Sequence, residues 1–326
     1  MKICVFGAGA VGGHFAAQLA ASGHDVSVIA RGAHLAAIRQ SGLTLLKDER
    51  RIVGKVKAAA DPREIGPVDF VLVTLKATSL PDFADTAAPL LGKDTAVVFA
   101  QNGIPWWYAL GLSAARPAAP GLEALDPGGK LARAIAPERV VGSVVYSANA
   151  VVAPGVVQSN APLRNVLVLG EPDDRTTPRL RALAAALEKS EIQAPIETDI
   201  RRTVWAKLAI NLWSSSTGVV AGGTVKENLA DPALAALRPR MQAEARAIAA
   251  AHGVNVEGAP LPPPAPSGGP QHKTSMLQDY EQGRPMEVDA ILMAPLWFAR
   301  AAKVPVPTLE AVIAFAAHKA RQKGLW

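Results

Sequence analysis

Lys2-Ile3-Cys4-Val5-Phe6-Gly7-Ala8-Gly9-Ala10-Val11-Gly12 is the stretch that decides the fold. After Lys2 the run is short and apolar, as in a strand buried on both faces. Three glycines follow in the spacing G-x-G-x-x-G, and His14–Ser22, rich in Ala, then reads as a helix that Gly23 stops. The glycines differ in what they allow. Gly7 permits the tight turn, Gly9 lets a pyrophosphate approach the backbone, and Gly12 lets helix and strand pack closely. The helix start also leaves N–H groups unpaired, which suits an anion. Strand, turn and helix together point to a dinucleotide, with Gly7, Ala8, Gly9, Ala10, Val11 and Gly12 as its contacts.

On either side of that unit the pattern extends. Asp25–Ala30, Asp69–Leu75, Thr95–Ala100 and Val140–Tyr146 read as further apolar strands separated by helical segments. Such alternation implies a parallel sheet covered on both faces. From Arg201 the periodicity becomes helical, over Arg201–Ser215, Ala233–Ala251, Met286–Ala302 and Thr308–Gln322. The expected fold is therefore α/β: an N-terminal Rossmann-like domain with a parallel sheet over residues 1–197, then a C-terminal all-α domain over 198–326. The Pro/Gly-rich stretch Gly258–Pro270 reads as a loop.

Composition narrows the function classes. A chain of 326 residues that is 49% hydrophobic can fill two cores. The single Cys4 excludes an internal disulfide framework and favours a reducing compartment. A net charge of +6 with scattered cations and 5% aromatics suits anionic small molecules and not a nucleic-acid groove. The longest uncharged run, between Arg139 and Arg164, contains Asn149, Gln158 and Asn160, so it reads as strands and turns and not as a membrane span. No export leader is read, and a cytoplasmic location is expected. The six His are isolated and no C-x-x-C occurs, so no metal site is expected; no G-x-S-x-G nucleophile appears either.

Strand ends carry the polar residues of such a sheet's ligand crevice. After Val26-Ser27-Val28-Ile29-Ala30 stands Arg31, where an NAD site usually has a carboxylate. A guanidinium attracts a 2′-phosphate and can grip it with two hydrogen bonds, so NADP(H) is favoured over NAD(H); the plainer reading is a solvated Arg. Lys76 follows Val71–Leu75, and Gln101-Asn102-Gly103 follows Val97–Ala100, each placed for cofactor or substrate, or else as surface charge and turn. In the second half, Lys207, Asn211 and Ser215 are spaced i, i+4, i+8 and form one polar stripe on an otherwise apolar helix. A buried polar line wants partners, which a polar substrate supplies. A Lys there suits carbonyl reduction: its ammonium can stabilise and protonate the oxygen that gains charge as hydride reaches carbon. The alternative is a solvent-facing Lys.

Taken together, Gly7–Gly12 with Arg31, Val73-Thr74-Leu75-Lys76, Gln101-Asn102-Gly103, Lys207-x-x-x-Asn211, Ser275–Asp279 and Gly283–Asp289 resemble the ketopantoate reductase (2-dehydropantoate 2-reductase) family over essentially the whole chain. The resemblance implies NADPH-dependent reduction of a 2-oxo acid, by default ketopantoate to pantoate, in a cleft between the two domains. It implies Lys207 as general acid and Glu287 as a hydrogen-bonding partner that orients the site. It further implies Asn102, Asn211, Ser215 and Ser275 on substrate, and Arg31, Lys76 and Asn102 on cofactor. Asp279 reads as structural. On the residues alone, Glu287 would be a solvated face and Ser275 a helix cap.

Three departures bear on substrate identity. Ser215 stands where the family commonly has a second Asn; Trp106-Trp107-Tyr108 read either as core or as a shelf reshaping the pocket; Leu110–Arg133 reads as an inserted flap. Two alternatives remain open: a β-hydroxyacid-type dehydrogenase acting on a different keto acid, and a non-catalytic NADP(H)-sensing protein. The expected partner is a small-molecule 2-oxo acid, with no nucleic acid and no membrane; a homodimer is left open.

Overall fold

The computed structural model describes residues 1–161, 165–259 and 273–326. The chain divides into two compact units: Met1–Gln101 with Asp126–Ile200, and Asn102–Leu125 with Arg201–Trp326. The loop expected over Gly258–Pro270 lies outside the described residues except at Gly258 and Ala259.

Among its described residues the first unit has eleven strands: β1 (Lys2–Phe6), β2 (Asp25–Ile29), β3 (Leu43–Lys47), β4 (Arg50–Gly54), β5 (Lys57–Ala59), β6 (Val68–Val73), β7 (Leu91–Phe99), β8 (Val140–Tyr146), β9 (Asn149–Ala153), β10 (Val156–Ser159) and β11 (Val166–Gly170). Seven of them form one sheet in the order β11-β8-β7-β6-β1-β2-β5. All neighbours are parallel except β11, which runs antiparallel to β8. The chain leaves β1 toward β2 and β5, then crosses to β6 on the other side of β1. Strand order therefore reverses at β1, the place where open α/β sheets bind ligands. Val5, Val28, Leu72 and Val98 are fully buried, as strands covered on both faces require.

A second sheet, β4-β3-β10-β9, is not legible from strand periodicity. Its reason for existing lies in the first helix, Ala10–Ala21, which is buried over the whole run Gly12–Leu19, polar His14 and Gln18 included, and turns no face to solvent there. One side packs on the parallel sheet and the other needs a cover. The small sheet supplies it at close range: a Cβ on Gly13 would lie 2.7 Å from Val157 Cγ2, and one on Gly54 would lie 2.8 Å from Ala17 Cα.

Among its described residues the second unit has no strand: Asn102–Leu125 is loop and short turns, and the part from Arg201 onward is built of helices. Its long helices are Ile200–Ala221, Pro232–Ala251 and Pro307–Gln322, with Ser275–Glu281 and Ala294–Ala301 between the last two. Phe298 is fully buried among ring edges of Tyr108 at 4.9 Å, Trp205 at 5.4 Å and His252 at 4.8 Å. Trp205 Nε1 donates to the Tyr108 hydroxyl at 2.8 Å. Buried Arg201 donates to the carbonyls of Tyr108 (2.9 Å) and Leu110 (2.6 Å). These contacts draw Asn102–Leu125 into the helical unit, although it falls in the first half of the sequence. They also make Tyr108 core, and Trp107 is fully buried too. The stretch read as a flap is divided: through Leu125 it belongs to the helical unit, and from Asp126 to the sheet unit, where Asp126 Oδ1 accepts from Leu131 N at 2.8 Å. Asp279 is paired with Arg284 at 2.8 Å, a tie within the helical unit.

His14 sits on the first helix with no exposure, and its Nδ1 lies 2.9 Å from Asn149 Oδ1 of β9. Burial is the main cause that pushes its pKa down from 6.5 to about 4. Below pH 6.5 the unfolded chain therefore takes up a proton that the folded chain refuses. Stability should fall from pH 6.5 to pH 4 by about 3 kcal/mol on this account. The urea midpoint of wild type minus that of His14→Gln, followed over this range, should show the loss; a flat difference would contradict it.

Candidate active site

Because the central strands are parallel, their carboxyl ends lie on one edge of the large sheet. There β1 delivers Gly7, β2 delivers Arg31, β6 delivers Thr74–Lys76 and β7 delivers Gln101. Gly7 has φ +103°, a left-handed conformation that glycine alone adopts readily. Its carbonyl accepts from Thr74 Oγ1 at 2.7 Å. A Cβ on Gly12 would stand 2.2 Å from that same carbonyl oxygen and 2.3 Å from Thr74 Oγ1. Gly9 is the opposite case: it is exposed, and nothing lies within 4 Å of where its Cβ would be. The protein packs against Gly7 and Gly12 and leaves the space over Gly9 open. The helix that follows has no side chain capping its first turn. The loop thus fits a diphosphate, with room at Gly9 and free N–H groups beyond it.

Arg31 ends the β2 segment and carries a side chain that is 73% exposed, 3.8 Å from the Asp82 carboxylate. A pair this open and this long holds weakly, so the guanidinium is free to turn toward a stronger anion. Lys76 is half-buried at the start of the turn Ala77–Ser79. Gln101 Nε2 donates to the carbonyls of Val73 (2.8 Å) and Leu75 (3.1 Å), fastening the end of β7 to the end of β6. Sequence reading gave Gln101 and Thr74 no such fastening roles, since nothing in a linear pattern shows which carbonyls a side chain will reach.

Within the helical unit, Lys207 Nζ donates to Asn102 Oδ1 at 2.6 Å. Desolvation is the main cause that pushes the Lys207 pKa down from 10.5 to about 8, and the negative charge of Glu287 pulls it partly back. Glu287 is buried and immediately precedes the turn that opens the helix before Ala294–Ala301. Three separate segments therefore converge: the turn at Asn102, the helix Ile200–Ala221 and the start of the helix after Glu287. One and two turns beyond Lys207 stand Asn211, half-buried, and Ser215, buried.

Ser275 is exposed as the first residue of Ser275–Glu281, and the cap is its neighbour Thr274, whose Oγ1 accepts from Leu277 N at 3.3 Å. That helix start packs on the helix Ile200–Ala221 one turn past Ser215, because a Cβ on Gly218 would be 3.1 Å from Thr274 Oγ1. No cluster of His, Cys, Asp and Glu among the described residues could hold a metal ion. No helix among them is long and apolar enough to cross a membrane.

The sheet unit thus offers a glycine cradle that fits a dinucleotide, and the helical unit by itself holds a desolvated Lys near a buried carboxylate, features in keeping with the oxidoreductase class to which comparison with known proteins assigns the chain. Residues 3–173 match the ketopantoate reductase PanE/ApbA family, and residues 199–320 match that family's C-terminal domain. The chain belongs to this family. A 2-dehydropantoate 2-reductase from Mesorhizobium japonicum is 42% identical over the full length of both chains. Among solved structures, a candidate ketopantoate reductase from Ralstonia solanacearum MolK2 superposes with a TM-score of 0.85 at 35% identity, covering 99% of each chain. D-mandelate dehydrogenase with NADH and anilino(oxo)acetate has a TM-score of 0.80 at 19% identity over the whole of both chains, a likeness of fold alone.

The two inner glycines separate ligand room from packing. Gly9→Ala should keep the wild-type melting temperature and lose at least about tenfold in dinucleotide affinity. Gly12→Ala should lower the melting temperature itself, because its neighbours cannot give way. Calorimetric titration and thermal melts of both variants check this pair of outcomes.

Proposed function

We propose that this chain reduces 2-dehydropantoate, or a close 2-oxo acid, to the 2-hydroxy acid with NADPH, and that Lys207 is the proton donor. The observation that carries this reading is the Lys207–Asn102 hydrogen bond at 2.6 Å on an ammonium whose pKa is held near 8. NADPH, when bound at Gly7–Gly12, supplies the hydride that the ketone carbon accepts. Negative charge then develops on the ketone oxygen. The Lys207 ammonium stabilises that oxygen and passes it one proton, so the carbonyl becomes a hydroxyl and the lysine a neutral amine. An ordinary lysine pKa of about 10.4 would make the ammonium a poor acid. At about 8 it remains protonated at neutral pH and gives up its proton far more readily.

Asn102 fixes where the ammonium points. Its oxygen takes one of the three N–H donors and so orients the group. Glu287 keeps the ammonium from losing its charge altogether and offers its carboxylate to a substrate hydroxyl. Asn211, Ser215 and Ser275 complete the proposed substrate contacts. Arg31 and Lys76 are the proposed cofactor cations, and the lack of a carboxylate at the end of β2 supports NADPH over NADH. Work in the cytoplasm is part of the same reading.

Lys207→Ala should lower kcat by roughly 10²–10⁴-fold and leave NADPH affinity unchanged. Unaltered turnover would remove Lys207 from the reaction. In wild type, kcat for reduction should be level below pH 8 and fall above it as the ammonium is lost, whereas alcohol oxidation should rise through the same pH. Arg31→Ala should raise KM for NADPH by about tenfold or more and leave that for NADH nearly unchanged. Equal effects on both would exclude a 2′-phosphate contact. Steady-state kinetics with 2-dehydropantoate and both cofactors reads all three.

A further inference from the structure

The residue after Asn102 has no room for a side chain. Gly103 has φ +81°, and a Cβ there would lie 2.3 Å from the Ala290 carbonyl oxygen, 2.5 Å from its carbon and 2.9 Å from Ile291 N. One residue on, Ile104 N donates to the same Ala290 oxygen at 2.8 Å. The turn that carries Asn102 is thus seated directly on the backbone of Asp289–Met293, a π-helical turn. Such turns widen a helix by one residue and expose carbonyls that a regular helix would use.

This π-turn begins two residues after Glu287. Ile291 N, one of the atoms beneath Gly103, donates to the Glu287 carbonyl at 3.1 Å. On its other side the segment is held by Met286 N, which donates to the Leu325 carbonyl at 3.0 Å. Asn102 and Glu287, which both act on Lys207, are therefore joined through a few backbone atoms at Gly103, Ile104, Ala290 and Ile291.

We propose that Gly103 is a positioning residue: its bare backbone, seated on Ala290, sets where Asn102 stands against Lys207 and in register with Glu287. The proposal rests on the reading of Lys207 as proton donor. A side chain at position 103 meets two obstacles of different weight. The positive φ alone is a strain that a folded chain can absorb. The collision cannot be relieved by a rotamer change, because all three atoms are backbone. The turn would retreat by about 0.7 Å merely to bring the contact with the Ala290 oxygen to 3.0 Å. A shift of that order would stretch the 2.6 Å hydrogen bond to about 3.3 Å, beyond the usual N–H···O range, and weaken it. A misplacement of about 1 Å at a reacting centre lowers rates by about 10²-fold.

The test compares Gly103→Ala, Asn102→Ala and the double variant in the full-length, NADPH-loaded enzyme with 2-dehydropantoate. Gly222→Ala is the control, since Gly222 has φ +77° but nothing within 4 Å of its Cβ position. Gly103→Ala should fold and lose roughly 10–100-fold in kcat, a larger change than in KM for NADPH or for 2-dehydropantoate. Gly222→Ala should keep wild-type kcat. The double variant should be no slower than Asn102→Ala alone, because Gly103 acts through Asn102. In wild type the Ile104 amide should exchange slowly with solvent deuterium, and it should exchange faster in Gly103→Ala.

Wild-type kcat in Gly103→Ala, multiplying effects in the double variant, or a Gly103→Ala chain that does not fold would each overturn the proposal. So would an Ile104 amide that exchanges freely in wild type. Wild-type kcat in Asn102→Ala would overturn it as well, whereas wild-type kcat in Lys207→Ala would instead overturn the donor reading on which it stands.

Discussion

An ammonium taken out of water needs a reason to stay charged, and the site is arranged around that constraint at Lys207. Burial alone pushes its pKa down, and Glu287 stops the fall near 8. Asn102 contributes a neutral acceptor at 2.6 Å, which orients the group without adding charge. A closer ion pair would return the pKa toward the usual lysine range and make proton release slow. A fully apolar pocket would leave a neutral amine with no proton to give. The arrangement lies between these limits, where one group can act as acid in one direction and as base in the other.

Both units rely on backbone proximity more than on specialised side chains. In the sheet unit, Gly12 lets the first helix press against the Gly7 turn and Thr74, and this leaves Gly9 bare to solvent. In the helical unit, Gly103 lets the Asn102 turn rest on Ala290. The aromatic group around Phe298 explains why that turn belongs to the helical unit at all. Tyr108 is held by Trp205, Phe298 and Arg201, so the chain from Asn102 onward is anchored to the helix that bears Lys207. Truncating a ring of this kind typically costs about 3–5 kcal/mol.

Much of this was legible in the sequence, and the rest was hidden for identifiable reasons. G-x-G-x-x-G between strand and helix, together with apolar runs at regular distances, pointed to the parallel sheet, because strands covered on both faces leave a continuous apolar signature. The spacing Lys207, Asn211, Ser215 defined one stripe on one helix, since that needs only the period of the helix. The sheet β4-β3-β10-β9 left no such trace. Its outer strands, β4 and β9, are largely exposed, and its necessity appears only once the helix Ala10–Ala21 is seen to be buried over the whole run Gly12–Leu19. Glu287 and Ser275 carried no signal of their own without a family resemblance, for a carboxylate after a loop is usually solvated. Gly103 was visible as a turn residue, but its contact with Ala290 joins residues far apart in sequence that no local pattern links. Trp106-Trp107-Tyr108 read as core or as pocket, and the buried packing of Trp107 and Tyr108 decides for core.

The most direct test of the central claim is to watch the Lys207 amine itself take up its proton. With lysine labelled at Cε with carbon-13, and the Lys207 resonance assigned by its loss in Lys207→Arg, a pH titration of the NMR shift reports that one group. The account predicts a midpoint near pH 8. A midpoint at the ordinary lysine value of about 10.4 would contradict it, because such an ammonium is neither desolvated nor poised to release a proton to an oxygen.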